Sequence, residues 1–201
     1  MTVYLLMLRG DNNMSDLYMD AHILWPEEKI HLPHEIDWSK QHCGVHQASW
    51  EDMFYHMPDL AEMVLYTFPE KINDFVWDVK VHMLMPGQWP CIPNWHYDNI
   101  PRANNKQDFD LVKPDLPMYL WLSGPPFTEF KRDDGSTYFV EANKWHKFTQ
   151  KDLHRGHMAT DFCWRGFIRA THKGIMPQNK PGHDPLRRHS QVYLDVNNFS
   201  W

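Results

Sequence analysis

No stretch of the 201-residue chain approaches the ~20 consecutive apolar residues that a membrane helix needs, so no membrane partner is expected. Cysteine is scarce. Cys43, Cys91 and Cys163 lie far apart with no CxxC pair, which speaks against a disulfide framework or a cysteine zinc site and fits a reducing, cytoplasmic location. The opening MTVYLLMLRGDNN has a short apolar run with no basic region before it and no small-residue cleavage site, so it reads as a strand near Val3–Leu8. Positive charge is not in excess either. A formal net charge of −6 leaves no broad footprint for nucleic acid or an anionic surface, so a small molecule or a protein side chain is the expected partner, with oligomeric state open. The motifs GxGxxG, GxxxxGK[ST], HExxH and GxSxG are all missing, which removes the usual footholds for nucleotide folds, zincins and serine hydrolases.

What is present supports one core: 42% of residues are hydrophobic and 14% aromatic, in a length suited to a single domain over 1–201. Residues 1–70 read as an α/β support layer, with a proline-punctuated loop through Trp25–Trp38 and a helix starting at Ser49. Ser49 and Asp52 have capping-box spacing, and Pro58 should end that helix or restart it. From Phe75 the pattern turns to period two, Phe75, Trp77, Val79 and Val81 alternating with Val76, Asp78, Lys80 and His82, which predicts a half-buried strand. Further strands are expected at Met118–Leu122, Thr128–Phe130, Thr137–Val140, Trp145–Thr149 and Trp164–His172, separated by Pro86-Gly87, Gly124-Pro125-Pro126 and Asp134-Gly135. Short strands with little room for helices point to a mainly β, α+β fold with an antiparallel jelly-roll core over 71–173 and a tail over 174–201.

Fourteen histidines are several times the number expected at roughly 2% of residues, so spacing must single out a ligand. The only His-x-carboxylate is His96-Tyr97-Asp98. On extended backbone residues i and i+2 project to one side, so both can bind one metal, although about two such triplets would arise by chance in a chain this rich in His and acid. His154 supplies a distal histidine, and Arg165 and Arg169 follow it on one face of a single strand. His157 and His146 compete with it as third ligand.

This order, HxD, a long spacer, then His with Arg eleven and fifteen residues on and Ala170-Thr171 after the second, resembles the taurine dioxygenase branch of the iron(II)/2-oxoglutarate oxygenases over about residues 81–172. The resemblance implies a double-stranded β-helix of cupin-like architecture. It also implies Fe(II) on His96, Asp98 and His154, with 2-oxoglutarate as cosubstrate and hydroxylation of a substrate that the sequence does not identify. Arg165 would then clamp the distal carboxylate with help from Thr128, while Arg169 would meet cosubstrate or an anionic substrate. Trp95, Tyr119, Trp121 and Arg102 are weaker candidates for the substrate wall. Two rivals use the same residues differently: a cupin-type hydrolase or isomerase with zinc or manganese, and a catalytically silent binding or inhibitor protein.

Overall fold

The computed structural model describes residues 35–176 and 183–194 together with the backbone of Leu24–Trp25. The strand expected at Val3–Leu8 lies outside the described residues. Helix α1 (Trp50–His56) starts at Ser49, whose hydroxyl accepts from the Asp52 amide at 3.0 Å while the Asp52 carboxylate accepts from the Ser49 amide. This is the reciprocal cap expected from the sequence. Met57 closes α1 and opens α2 (Pro58–Thr67), because Pro58 at the first helical position forfeits no hydrogen bond there. Leu60, Ala61, Met63 and Val64 form the buried stripe of α2.

The strands in chain order are β1 (Leu24–Trp25), β2 (Phe75–Leu84), β3 (Gln88–Trp89), β4 (Arg102–Ala103), β5 (Lys106–Gln107), β6 (Met118–Leu122), β7 (Thr128–Lys131), β8 (Thr137–Phe139), β9 (Trp145–Phe148), β10 (His154–Gly156), β11 (Cys163–His172) and β12 (Tyr193–Leu194). Every pairing between them is antiparallel. A five-stranded sheet runs β1-β9-β6-β11-β2, and a three-stranded sheet runs β10-β7-β8. Two short ribbons, β12-β3 and β4-β5, complete the set. The protein is therefore mostly β with two α-helices among the described residues.

Each face of the large sheet is claimed by a different partner. Trp77, Val79 and Val81 of β2, Tyr119 and Trp121 of β6, and Ile168 and Ala170 of β11 pack with the buried stripe of α2. On the other face Met118, Leu120, Leu122 and Phe148 meet Phe130 of the small sheet. β2 is accordingly buried on both sides, and not half-buried as the alternation suggested: Asp78 is 1% and His82 5% exposed. The period fixed which residues share a face, while partners distant in sequence bury most of the polar row: Asp78 meets Arg169 and Arg187, and Lys80 stays partly exposed on the wall of a cavity.

The free edge of β2 is covered by segment 43–48, with Val79 N donating to Val45 O at 2.9 Å and Ala48 exchanging bonds with Trp77. Gly44 permits this approach, since its φ is +133° and a Cβ there would fall 2.0 Å from the Val79 carbonyl oxygen. The described part of the C-terminal region lies outside that segment, Leu186 bridging Val45 and β12 pairing with β3. Among the described residues no helix is long and apolar enough to cross a membrane.

Candidate metal centre

His154 is the first residue of β10, where it sits opposite Phe130 of β7. Its other edge meets the loop before β4. His96 N donates to His154 O at 2.9 Å and His154 N to His96 O at 3.0 Å, a closed antiparallel pair. Residues paired in this way project their side chains to one side, and the two rings lie 4.4 Å apart, centroid to centroid. His96 makes only this isolated bridge, and the chain bends at once through Asp98 to Asn99 at φ +56°. The extended HxD strand expected from the sequence is thus a single bridge and a turn, yet it still delivers Asp98 to the same side as His96.

Both histidines are oriented from behind. His96 Nδ1 lies 2.8 Å from the carbonyl of Asn94, and His154 Nδ1 lies 3.1 Å from that of Asp152. A carbonyl can only accept, so each Nδ1 carries the proton and each Nε2 presents a lone pair. Those lone pairs face Asp98: His96 Nε2 is 3.9 Å from Oδ1 and His154 Nε2 is 3.5 Å from Oδ2. One ligand atom from each of the three residues falls within 4.8 Å of the others, the only such group of His, Cys, Asp and Glu among the described residues. Three acceptors converge with no proton between them, which suits a cation. Ligands drawn to about 2.0–2.2 Å from a shared ion would close these gaps by roughly 1 Å. His96, Asp98 and His154 can therefore hold a metal ion.

The electrostatics keep the donors in their ligand forms. Burial lowers the pKa of His96, as does the neighbouring His154, favouring the neutral ring. Burial opposes ionisation of Asp98, but the Arg169 guanidinium outweighs it and holds the carboxyl well below the usual range. Arg169 Nη1 donates to Asp98 Oδ2 at 2.5 Å and Nη2 to Asp78 Oδ2 at 2.9 Å. Asp78 in turn accepts from Arg187 Nη2 at 3.2 Å, and Arg187 Nε donates to the carbonyls of Val45 and Val79. The chain Asp98–Arg169–Asp78–Arg187 ties a ligand on a loop to the central sheet and to the C-terminal segment.

A cavity of about 170 Å³ opens on the triad, walled by Lys80, Cys91, Ile92, Thr128, Phe167 and Tyr193 among others, with Arg169 at its side. Arg165 is fully buried and does not reach the cavity wall. Its Nη2 donates to Thr128 Oγ1 at 3.2 Å, while its Nε and Nη1 have no hydrogen-bond partner among the described residues. Thr128 and Arg165 are thus brought together, one on the wall and one behind it.

The weaker candidates separate from the triad. Tyr119 and Trp121 alternate out of phase with Leu120 and belong to the helix-facing core, where Tyr119 Oη donates to Glu70 at 2.9 Å. They do not line the cavity, because their odd register on β6 points them to the other face of the sheet. Trp95, the neighbour of His96, carries the Arg155 guanidinium 4.5 Å over its ring and stays off the cavity wall. Arg102 is exposed on the β4-β5 hairpin, whose turn is made by Asn104 and Asn105 at positive φ. Of the competing histidines, His157 Nε2 is 2.6 Å from Glu129 Oε2, and His146 is buried with Nε2 3.1 Å from Tyr138 Oη. Neither joins the group that can hold a metal.

Sequence reasoning missed Asp78, Lys80, Arg187 and Tyr193. The signal for the first two was present: the polar row of β2 reads Asp-x-Lys-x-His, facing Arg-x-Phe-x-Arg on β11.

No protein-family model matches the chain, and no curated protein does. Among solved structures, a cupin protein from Bacteroides fragilis aligns with 55% of this chain and 78% of its own, at 14% identity and a TM-score of 0.29. That overlap assigns no family.

Proposed function

We propose that this chain is an iron(II)- and 2-oxoglutarate-dependent oxygenase, with His96, Asp98 and His154 as metal ligands. Two neutral imidazoles and one carboxylate leave neighbouring positions open on a metal, the arrangement of non-haem iron oxygenases. A zinc or manganese hydrolase or isomerase would be served by the triad alone. Arg165 carries the choice: a fully buried guanidinium eleven residues after His154, with two N–H groups unmatched beside a cavity-wall threonine. Such a cation is expensive to bury unless an anion joins it, and a dicarboxylate whose other end is at the metal would bring one. The two sheets that meet across the cavity would be the two sides of a jelly roll, supported by α1 and α2. The three cysteines are unpaired, which suits a reducing compartment.

When bound, iron and 2-oxoglutarate together supply the oxidising power: dioxygen is split, one oxygen atom going to succinate as carbon dioxide is lost and the other to a substrate C–H bond. The chain's own residues hold and shield. The carbonyls of Asn94 and Asp152 fix the ring tautomers, and Arg169 keeps Asp98 ionised while leaving its other oxygen to the metal. Phe130 stacks on His154 with centroids 5.0 Å apart and, with Leu120, Phe148 and Phe167, keeps water from that end of the cavity.

The test is metal content together with succinate release. Protein loaded anaerobically with Fe(II) should hold one ion per chain and convert 2-oxoglutarate to succinate in air. Zinc or manganese retained with no succinate would favour the hydrolase or isomerase, and no metal at all would favour a silent binding protein.

A further inference from the structure

A second cavity, of about 460 Å³, opens to solvent between His46 and the C-terminal residues 183–191. It shares no wall residue with the cavity at the triad. Backbone bonds strap its two sides together: His46 N donates to Pro185 O at 2.7 Å, and Arg187 N to Gly44 O at 2.9 Å. The described wall carries His46, His183, His189, Arg187 and Arg188 against one carboxylate, Asp184, on a chain whose formal net charge is −6. Leu186 is its one aliphatic residue.

Arg187 is the fixed member. Its Nε donates to the carbonyls of Val45 and Val79 and its Nη2 to Asp78, while Nη1 makes no hydrogen bond to a described residue. A guanidinium already ordered, with an arm to spare, loses little entropy in taking up an oxyanion. Arg188 reaches Asp184 at 3.4 Å, but the two side chains are 86% and 53% exposed. A pair so open to water is worth little and gives way to a more highly charged anion. His183 Nε2 donates to the His46 carbonyl at 3.3 Å, and the two rings lie 6.3 Å apart, centroid to centroid. An anion beside the His183 ring favours its protonated form, in which Nδ1 becomes a second donor.

The wall therefore suits an anion with several oxygens. A carboxylate offers two. A phosphate monoester offers three and a charge of about −1.5 to −2 at pH 7, which matches N–H groups arriving from separate residues. The cavity is larger than a phosphate ion needs and falls within the roughly 300–1,000 Å³ of small-ligand sites, so the organic part of the ligand has room beside the anion. We propose that this cavity is a second ligand site, which takes the phosphate group of a small phosphorylated molecule on Arg187, Arg188 and His183. The site is independent of the oxygenase reading.

The full chain, stripped of metal so that phosphate has no iron to bind, is titrated calorimetrically with inorganic phosphate and with glycerol 3-phosphate. Both should bind saturably. A variant carrying Arg188→Gln and His183→Gln together should weaken both by about tenfold or more. Both side chains are exposed, so this variant should fold, and its thermal midpoint verifies that. Lys80→Met, which alters the triad cavity alone, should bind both probes like the wild type. No saturable phosphate binding by the wild type overturns the proposal, as does unchanged affinity in the folded double variant. Affinity lost in Lys80→Met and kept in the double variant also overturns it, by moving the anion to the triad cavity. Phosphate that binds where glycerol 3-phosphate does not would leave a site for the bare ion and refute a phosphorylated ligand. Duplex DNA that displaces glycerol 3-phosphate, with an affinity falling steeply as salt rises, would replace the site with a nucleic-acid surface.

Discussion

Arg169 donates to Asp98 at 2.5 Å, so a residue of the central sheet fixes a candidate metal ligand carried on a loop. Its other arm holds Asp78, which is 1% exposed. Replacing Arg169 by Met leaves two carboxylates without that partner. Breaking a buried ion pair from one side removes about 3–5 kcal/mol, and disturbing a group behind a metal ligand lowers affinity about 10–100-fold. Urea denaturation and metal titration of Arg169→Met should show both losses. Stability reduced with metal affinity unchanged would make Arg169 a purely structural residue.

The third ligand is tested by three single substitutions. His154→Ala should abolish stoichiometric metal uptake, while His157→Ala and His146→Ala should retain it, because His157 is engaged by Glu129 and His146 faces Tyr138. Metal analysis after gel filtration reads the result. Uptake lost in His157→Ala and kept in His154→Ala would reverse the assignment.

Much of this was legible because it is local. The Ser49 cap, the break at Pro58 and the strands at Met118–Leu122 and Trp145–Phe148 follow from short-range chemistry. The triad was readable from spacing. What covers each face of a strand is decided at long range, where local alternation carries no information. Asp78 and His82 alternate as the watered side of β2 would but are buried, Lys80 lies partly buried on the cavity wall, and Tyr119 and Trp121 pack on helices instead of the cavity. The Arg187–Asp78 pair joins residues 109 apart in sequence, beyond the reach of any local pattern.

Glu129 gives an acid-sensitivity prediction. Burial works against its charge, but hydrogen bonds from Thr137, His157 and Arg155 win and bring its pKa from 4.5 to about 2. A folded-state pKa depressed in this way contributes stability in full above about pH 4.5 and loses it as pH falls toward 2. The urea midpoint of the wild type should therefore drop more steeply between pH 5.5 and pH 3 than that of Glu129→Gln. Parallel curves would remove Glu129 from the acid response.

Gly156 ends β10 against the Cys91 segment, donating to Ile92 O at 2.7 Å. A Cβ there would stand 2.6 Å from the Cys91 carbonyl oxygen and 2.8 Å from its sulfur. Gly156→Ala must push β10 aside, at about 1–3 kcal/mol of stability, and carry His154 with it. Thermal melting should register the loss, and metal affinity should fall with it. A variant that melts and binds metal like the wild type would show that the contact relaxes freely.

Under the proposed function, one metal on His96, Asp98 and His154 takes 2-oxoglutarate as its chelating ligand. The direct measurement is an anaerobic titration of 2-oxoglutarate into Fe(II)-loaded protein, following the visible charge-transfer absorbance of the chelate. A band that saturates at one equivalent per chain is expected in the wild type, and none in folded Asp98→Ala and His154→Ala proteins. No band in the iron-loaded wild type, or an equal band in Asp98→Ala, would contradict it.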